Sequence, residues 1–277
     1  MVIKSFSKIN LTLRVISKNR NGLHNIQSLY CWIDLFDSIK ISKTKGEDKI
    51  IFKGPFAKLV KRKNNSVFNL LKILRKQNLI SGNYNIVISK NIPVFSGLGG
   101  GTSNAAFILK YLLKNKKTEK LFDIFKSKIG SDLNLFFKKT GFLKDLNTIV
   151  ELKGINKFYF VLIKPKIRCS TKNIYSEVKK FSKREKFNKN IIRSRNQILE
   201  YMTSNRNDLQ FVVEKKHPFI KKLLKDIENE KGCCFSRMTG SGSVCYGLFN
   251  NQILAKKALN KLKYKYPKFW FSLAKTV

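Results

Sequence analysis

Glycines crowd the segment Gly97-Leu98-Gly99-Gly100-Gly101, leaving Leu98 as its single side chain. Glycine loses more conformational freedom on folding than any other residue, so local stability gives no reason for the cluster. Glycines do reach positive φ, and they let backbone N–H groups come close to a ligand. The apolar spacing of Ala105, Ala106, Ile108, Leu109 and Leu112 predicts a helix from Thr102 to Leu113 directly behind them. A helix start offers unpaired N–H donors and the positive end of a dipole. Loop and helix start together suit a triphosphate. The segment is not a Walker A loop, because no Gly-Lys-Ser/Thr follows. Nor is it a clean G-x-G-x-x-G, because Thr102 takes the last glycine position. The alternative is a flexible loop ahead of an ordinary helix, and Ser103-Asn104-Ala105-Ala106 speaks against it by fixing the helix start.

Asp132 is the second residue with chemistry to offer. The chain has only 17 acidic residues, and this one follows Gly130-Ser131 at the head of an apolar stretch. A carboxylate there is capped, paired or functional. A helix N-cap and a general base both remain open, and one does not exclude the other. Lys8 sits inside an alternating apolar segment, but one lysine among 57 basic residues says little by itself.

Five segments, in order along nearly the whole chain, carry a resemblance. They are Ser7-Lys8-Ile9-Asn10-Leu11, Asn21-Gly22-Leu23-His24, the loop from Pro93 to Ala106, Ile129-Gly130-Ser131-Asp132-Leu133-Asn134-Leu135-Phe136-Phe137, and Met238-Thr239-Gly240-Ser241-Gly242-Ser243. They resemble, in turn, the Ala-Lys-Ile-Asn-Leu strand, the Asp-Gly-Tyr-His turn and the Pro-x-Gly-Gly-Gly-Leu-Gly-Gly-Gly-Ser-Ser-Asn-Ala-Ala loop of one kinase family. The last two resemble its Leu-Gly-Ala-Asp-Val-Pro-Phe-Phe segment and its late Ser/Thr-Gly-Thr/Ser-Gly motif. The family is that of the 4-diphosphocytidyl-2-C-methyl-D-erythritol kinases, within the GHMP superfamily. The sequence departs from it at Leu23, where the family has an aromatic, and at Phe95 and Ser96, where it has glycine. The departures at Phe95 and Ser96 predict a reshaped loop mouth around an intact phosphate cradle.

The resemblance implies an α+β, two-domain GHMP kinase fold, with domains at 1–150 and 151–277 and ATP in the groove between them. It implies ATP-dependent phosphorylation of the substrate's 2-hydroxyl, with Asp132 as general base and Lys8 beside it. Such a lysine keeps the aspartate ionised and helps orient the hydroxyl. ATP would contact Pro93, Gly97, Leu98, Gly99, Gly100, Gly101, Thr102 and Ser103, with Asn65 and Lys90 near the adenine. Mg2+ is expected on the phosphates, with Ser103 as a ligand. The family holds cytosine between aromatic rings, which implies Leu23, His24 and Tyr175 at the base and Asn10, Thr171 and Gly240 at the substrate. His24 as a structural histidine and Tyr175 as helix packing stay open. So do two rival functions: another GHMP kinase acting on homoserine, mevalonate or a sugar, and a non-catalytic basic protein binding nucleic acid.

The elements that must position these residues are partly legible. Lys4 to Ile16 and Ile26 to Leu35 read as strands on either side of a turn at Asn19-Arg20-Asn21-Gly22. Ser38 to Phe52 reads as a hairpin broken near Lys45-Gly46. Ser66 to Gln77 reads as a helix capped by Ser66, and Tyr84 to Ser89 as a strand. Later come strands at Phe158–Lys164, Val244–Phe249 and Trp270–Lys275, and helices at Asn173–Phe181, Pro218–Asn229 and Gln252–Leu262.

Composition bounds the rest. The chain has 277 residues, 43% of them hydrophobic, and no apolar run approaches the ~18 residues of a membrane span. With one basic residue and no apolar core in Met1–Ser7, no secretory signal is expected, which predicts a soluble, cytoplasmic protein. The five cysteines are odd in number, have no metal-ligand spacing and include the adjacent Cys233 and Cys234, so reduced thiols are expected. Two histidines leave little room for a Ser-His-Asp triad or a histidine-rich metal site. The net charge of +40 invites a nucleic-acid reading. However, the lysines spread from Lys4 to Lys275 alongside abundant Asn, Ile and Phe, as AT-rich codons favour. The expected partners are therefore ATP and a cytidine diphosphate substrate, whose negative charge such a surface attracts.

Overall fold

The computed structural model describes residues 2–20, 22–61, 63–114, 121–152, 157–188 and 194–277. Asn21, part of the expected turn, lies outside them. The chain forms two compact units. The first comprises Met1–Lys8, Leu35–Val94 and Gly99–Lys138, and the second Ile9–Asp34, Phe95–Leu98 and Lys139–Val277. Neither is a continuous stretch of chain, because strands β1 (Val2–Asn10) and β3 (His24–Thr44) each give one end to each unit.

In the first unit, β5 (Asn83–Ser89) runs antiparallel to Ser38–Thr44 of β3 on one side and parallel to β4 (Lys49–Lys53) on the other. The hairpin expected over Ser38–Phe52 therefore does not form, because β5 inserts between its two arms. The physical reason lies in the side chains. β5 buries Tyr84, Ile86 and Ile88, as a central strand does, whereas β4 keeps Lys49 and Lys53 exposed, as suits an edge. Helix α1 (Ser66–Lys76) buries Val67, Leu70, Leu71 and Leu74, one stripe at helical spacing. Its cap is Asn65 rather than Ser66: the Asn65 Oδ1 accepts from the N–H groups of Val67 at 3.1 Å and Phe68 at 3.0 Å. Helix α2 (Gly100–Leu113) begins two residues before the expected start, and α3 (Phe122–Lys128) leads into a 3₁₀ helix at Ser131–Phe136.

In the second unit, the segment expected as one strand over Lys4–Ile16 is interrupted. The N–H groups of Leu11 and Thr12 both donate to the Leu29 carbonyl, after which β2 (Arg14–Lys18) pairs with the start of β3. Strand β6 (Thr140–Leu143) joins β3 and β7 (Ile149–Glu151). A separate antiparallel sheet has the order β11-β8-β10-β9, formed by β8 (Tyr159–Lys164), β9 (Cys233–Met238), β10 (Cys245–Phe249) and β11 (Trp270–Lys275). Helices α7 (Phe219–Glu228) and α8 (Gln252–Lys265) pack on it. Helix α4 (Thr171–Ser176) stops well short of the expected Phe181. Beyond it the chain is held extended by long-range bonds: Ser182 N–H to the Val15 carbonyl at 2.8 Å, Ser182 Oγ to Asp208 at 2.7 Å, and Glu185 N–H to Gln27 at 2.8 Å. Helices α5 (Arg195–Ser204) and α6 (Asp208–Lys216) complete the unit.

All five cysteines are free thiols. Among the described residues no helix is long and apolar enough to cross a membrane.

Candidate active site

The first unit gathers Lys8, Asp132, Lys90, Asn65, Pro93, Gly99, Gly100, Gly101, Thr102 and Ser103. At its centre the Lys8 Nζ lies 3.1 Å from Oδ2 of Asp132, with the lysine side chain 2% exposed and the aspartate 31%. Lys8 comes from the buried end of β1, between Ser7 and Ile9, and its charge is compensated by Asp132 within the fold. Asp132 stands in the first turn of the 3₁₀ helix, whose N-cap is Gly130. The N-cap reading of Asp132 is thereby replaced by an ion pair with one partly exposed end.

The glycines are explained by what their missing side chains would strike. Gly99, at φ 73°, is the N-cap of α2, and a Cβ there would lie 2.9 Å from the Phe136 ring and 3.3 Å from Lys8 Cε. A Cβ on Gly100 would meet Ile92 at 2.9 Å and Lys90 Nζ at 3.4 Å, and one on Gly101 would meet Ser66 Oγ at 3.4 Å. The first bond of the helix, Ser103 N–H to the Gly99 carbonyl at 2.8 Å, leaves the N–H groups of Gly100, Gly101 and Thr102 without an acceptor inside it. The loop thus leads directly into the open start of α2.

Three of the expected site residues in this unit have bonds within the fold. Lys90 is buried and ion-paired with buried Asp37, whose other oxygen accepts from the N–H groups of Asn91 at 2.7 Å and Ile92 at 2.9 Å. Its ammonium anchors the chain that leads to buried Pro93. Asn65 spends its Oδ1 on the α1 cap and donates its amide to the Lys61 carbonyl at 3.0 Å. Ser103 is fully buried, with its hydroxyl donating to the Phe6 carbonyl at 2.5 Å and lying 2.7 Å from Ser5 Oγ. That bond pins α2 to β1.

The second unit gathers Asn10, Leu23, His24, Gly97, Leu98, Thr171, Tyr175 and Gly240. The mouth of the loop is laced to the late glycine motif. Val244 N–H donates to the Ser96 carbonyl at 3.2 Å, and a Cβ on Gly97 would stand 2.1 Å from the Thr239 carbonyl oxygen. Leu98 is buried beneath. Asn10 is buried, its N–H donating to Thr239 Oγ1 at 3.0 Å and its amide to Ser28 Oγ at 2.8 Å. Gly240 has its Cα side against Gly97 and the Asn10 Oδ1. Thr171 Oγ1 lies 2.9 Å from Ser241 Oγ. Phe95 holds φ at 54° with its ring 48% exposed and the Arg168 guanidinium 5.8 Å from its centroid. Its backbone thus takes the left-handed conformation that glycine adopts freely.

His24 and Tyr175 meet with ring centroids 5.0 Å apart at 32°. A third ring, Phe181, stands 6.4 Å from His24 and is 47% exposed. Sequence reading placed Phe181 at the end of a helix and missed it. Half-buried Leu23 precedes His24. Burial, with repulsion from Lys18 opposite it in the β2–β3 register, lowers the pKa of His24 below its ordinary 6.5. The imidazole is therefore neutral at pH 7, with one donor and one acceptor nitrogen.

A glycine loop opening a helix and, in the same unit, a buried lysine paired to a partly exposed aspartate are features that phosphoryl transfer can use. Comparison with known proteins agrees. The family described as GHMP kinases N terminal domain matches residues 64–130, and GHMP kinases C terminal matches residues 185–268. The 4-diphosphocytidyl-2-C-methyl-D-erythritol kinase of Pelagibacter ubique (strain HTCC1062) is 37% identical, covering 99% of this chain and 98% of its own. A solved structure of 4-(cytidine 5'-diphospho)-2C-methyl-D-erythritol kinase superposes with a TM-score of 0.74 at 22% identity, covering 99% of each chain. The homoserine kinase of Cytophaga hutchinsonii ATCC 33406 superposes at 0.66 and 15% identity, covering all of this chain and 94% of its own. The fold is therefore shared across substrates. The chain belongs to the 4-diphosphocytidyl-2-C-methyl-D-erythritol kinase family of the GHMP kinases.

Proposed function

We propose that this chain transfers the γ-phosphoryl group of ATP to the 2-hydroxyl of 4-diphosphocytidyl-2-C-methyl-D-erythritol, a step of non-mevalonate isoprenoid synthesis. The observation that carries the reading is the 3.1 Å contact between Lys8 and Asp132 in the unit that holds the start of α2. Asp132 accepts the proton of the attacking hydroxyl, and Lys8 keeps the carboxylate ionised and aimed. The N–H groups of Gly100, Gly101 and Thr102 hold phosphate oxygens. His24 in its neutral form reads the edge of the cytosine, while Tyr175, Phe181 and Leu23 supply apolar faces. Asn10, Thr171 and Gly240 line the remainder of the substrate. The relatives, rather than the shared fold, favour this substrate over homoserine or mevalonate.

Mg2+ is proposed to accompany ATP, neutralising phosphate charge when bound. The described residues hold no group of three or more His, Cys, Asp and Glu side chains, and the Ser103 hydroxyl is already bonded. This donor set fits an ion held chiefly by phosphate oxygens and its own waters, as Mg2+ usually is. A cytoplasmic location is proposed with it. The excess of positive charge draws in anionic substrates and is given no nucleic-acid role.

A coupled assay for ADP release tests the reading, with 4-diphosphocytidyl-2-C-methyl-D-erythritol, homoserine, mevalonate and galactose offered in turn. Turnover with the cytidine substrate alone is expected. Preferential turnover of any other member of the panel would overturn the substrate assignment.

A further inference from the structure

Lys110, in the last turn of α2, turns inward rather than to solvent. Its Nζ donates to the Phe136 carbonyl and lies 4.9 Å from the centroids of both the Phe107 and Phe137 rings. Burial, aided by repulsion from Lys138, lowers its pKa to about 8, so the fold holds this charge at a disadvantage. A lysine on the solvent face of α2 would carry no such penalty.

We propose that Lys110 is a positioning residue for Asp132: it clamps the end of the 3₁₀ helix that carries the base onto α2, so that one rigid helix sets both the phosphate loop and the carboxylate. The assignment rests on Asp132 acting as the base. A 3₁₀ helix is a weak support for a catalytic group, because its hydrogen bonds are poorly aligned. Here it is braced on α2 along its length. At its start, a Cβ on Gly130 would fall 2.6 Å from Thr102 Oγ1 in the first turn of α2. The buried Phe136 ring closes on Gly99, the α2 cap. At its end the Phe136 carbonyl accepts from the Lys110 ammonium, a cation where the helix dipole is negative. Gly100 and Lys110 are about 15 Å apart along α2. Displacement of a reacting group by even ~1 Å can cost on the order of 10²-fold in rate, so the brace has a kinetic consequence.

The test combines Lys110→Met, Lys110→Arg and Asp132→Asn in steady-state assays with ATP and the cytidine substrate, with thermal melts on every variant. Lys110→Met is expected to lower kcat about 10-fold or more while both KM values stay within about 2-fold. Lys110→Arg, which keeps charge and donor, restores most of the rate. In the Asp132→Asn background, Lys110→Met should add no further loss to the residual rate, because it acts only through the base. If Lys110→Met melts too low to assay, Lys110→Gln is read in its place by the same measures. Unchanged kcat in the charge-removing variant, or an equal loss with and without Asp132, overturns the inference. Full activity in Asp132→Asn alone would instead overturn the base assignment, a separate and recognisable outcome.

Discussion

Lys8 Nζ and Asp132 Oδ2 stand 3.1 Å apart, with the lysine almost wholly buried and about a third of the aspartate side chain exposed. The asymmetry matters chemically. The buried cation is fixed by the fold and has its charge compensated, while the carboxylate keeps an open side for a substrate hydroxyl. Removing the carboxylate should spare ATP, whose proposed contacts are backbone N–H groups at the head of α2. Asp132→Asn is thus expected to cut kcat by about 10²–10⁴-fold with little change in the Kd of ATP. Single-turnover rates with nucleotide titrations check both halves. A wild-type rate would reduce Asp132 to a structural partner of Lys8.

Gly100→Val acts differently from what the sequence suggests. From the loop pattern alone, a branched side chain at this position blocks the approach of phosphates. In the structure a Cβ at Gly100 points inward, 2.9 Å from Ile92 and 3.4 Å from the ammonium of Lys90. The substitution should overpack the seat of the Lys90–Asp37 pair, at a cost of roughly 1–3 kcal/mol in stability. Loss of ATP affinity should follow from displacement of the α2 start. A melt lowered in the absence of nucleotide is the signature. Weak ATP binding with an unaltered melt would restore the direct-blocking account.

The contrast between those residues shows what was legible. The loop, Asp132 and Lys8 were readable because residue type and order along the chain carry them. The ion pair that buries Lys90 was not legible because its partner, Asp37, is 53 positions away. Asn65 and Ser66 are both good caps, and their order does not say which side chain turns back onto the helix. The hairpin failed for the same non-local reason: nothing between Ser38 and Phe52 announces that β5 will enter between its arms. Phe181 was missed because the segment that presents it is shaped by bonds from Ser182 to Asp208 and from Glu185 to Gln27 rather than by periodicity. Helix α5 had a local signal that was overlooked, the capping box of Ser194 and Gln197.

The proposed role of His24 implies an acid limit on substrate binding. Its pKa lies below 6.5 because burial and Lys18 disfavour the imidazolium. In the unfolded chain the group titrates near 6.5, so the unfolded state binds the proton first as pH falls. Below that point His24 contributes progressively against folding, and its protonated ring loses the acceptor nitrogen that a base edge needs. KM for the cytidine substrate should stay flat from pH 8 to 6.5 and rise at lower pH, with KM for ATP not following. His24→Gln should remove the acid rise. A rise that begins above pH 6.5 would show that another group controls it.

Leu23 gives the sharpest check on the cytidine pocket. Tyr175 and Phe181 are the rings beside His24, and Leu23 adds only an aliphatic surface. Aromatic stacking on a base is worth roughly 1–3 kcal/mol by substitution, and leucine keeps part of that through apolar contact. Leu23→Tyr should therefore lower KM for the cytidine substrate several-fold and leave KM for ATP alone. Tyr175→Ala should raise the same constant by about 10-fold. Phe181→Ala should raise it less, because that ring stands farther from His24 and is half exposed. Placing Leu23→Tyr on the Phe181→Ala chain should recover much of the lost affinity if both side chains serve the same bound base. Substrate KM values indifferent to both Leu23→Tyr and Tyr175→Ala would mean that the base binds elsewhere, and the rings around His24 would then be packing alone.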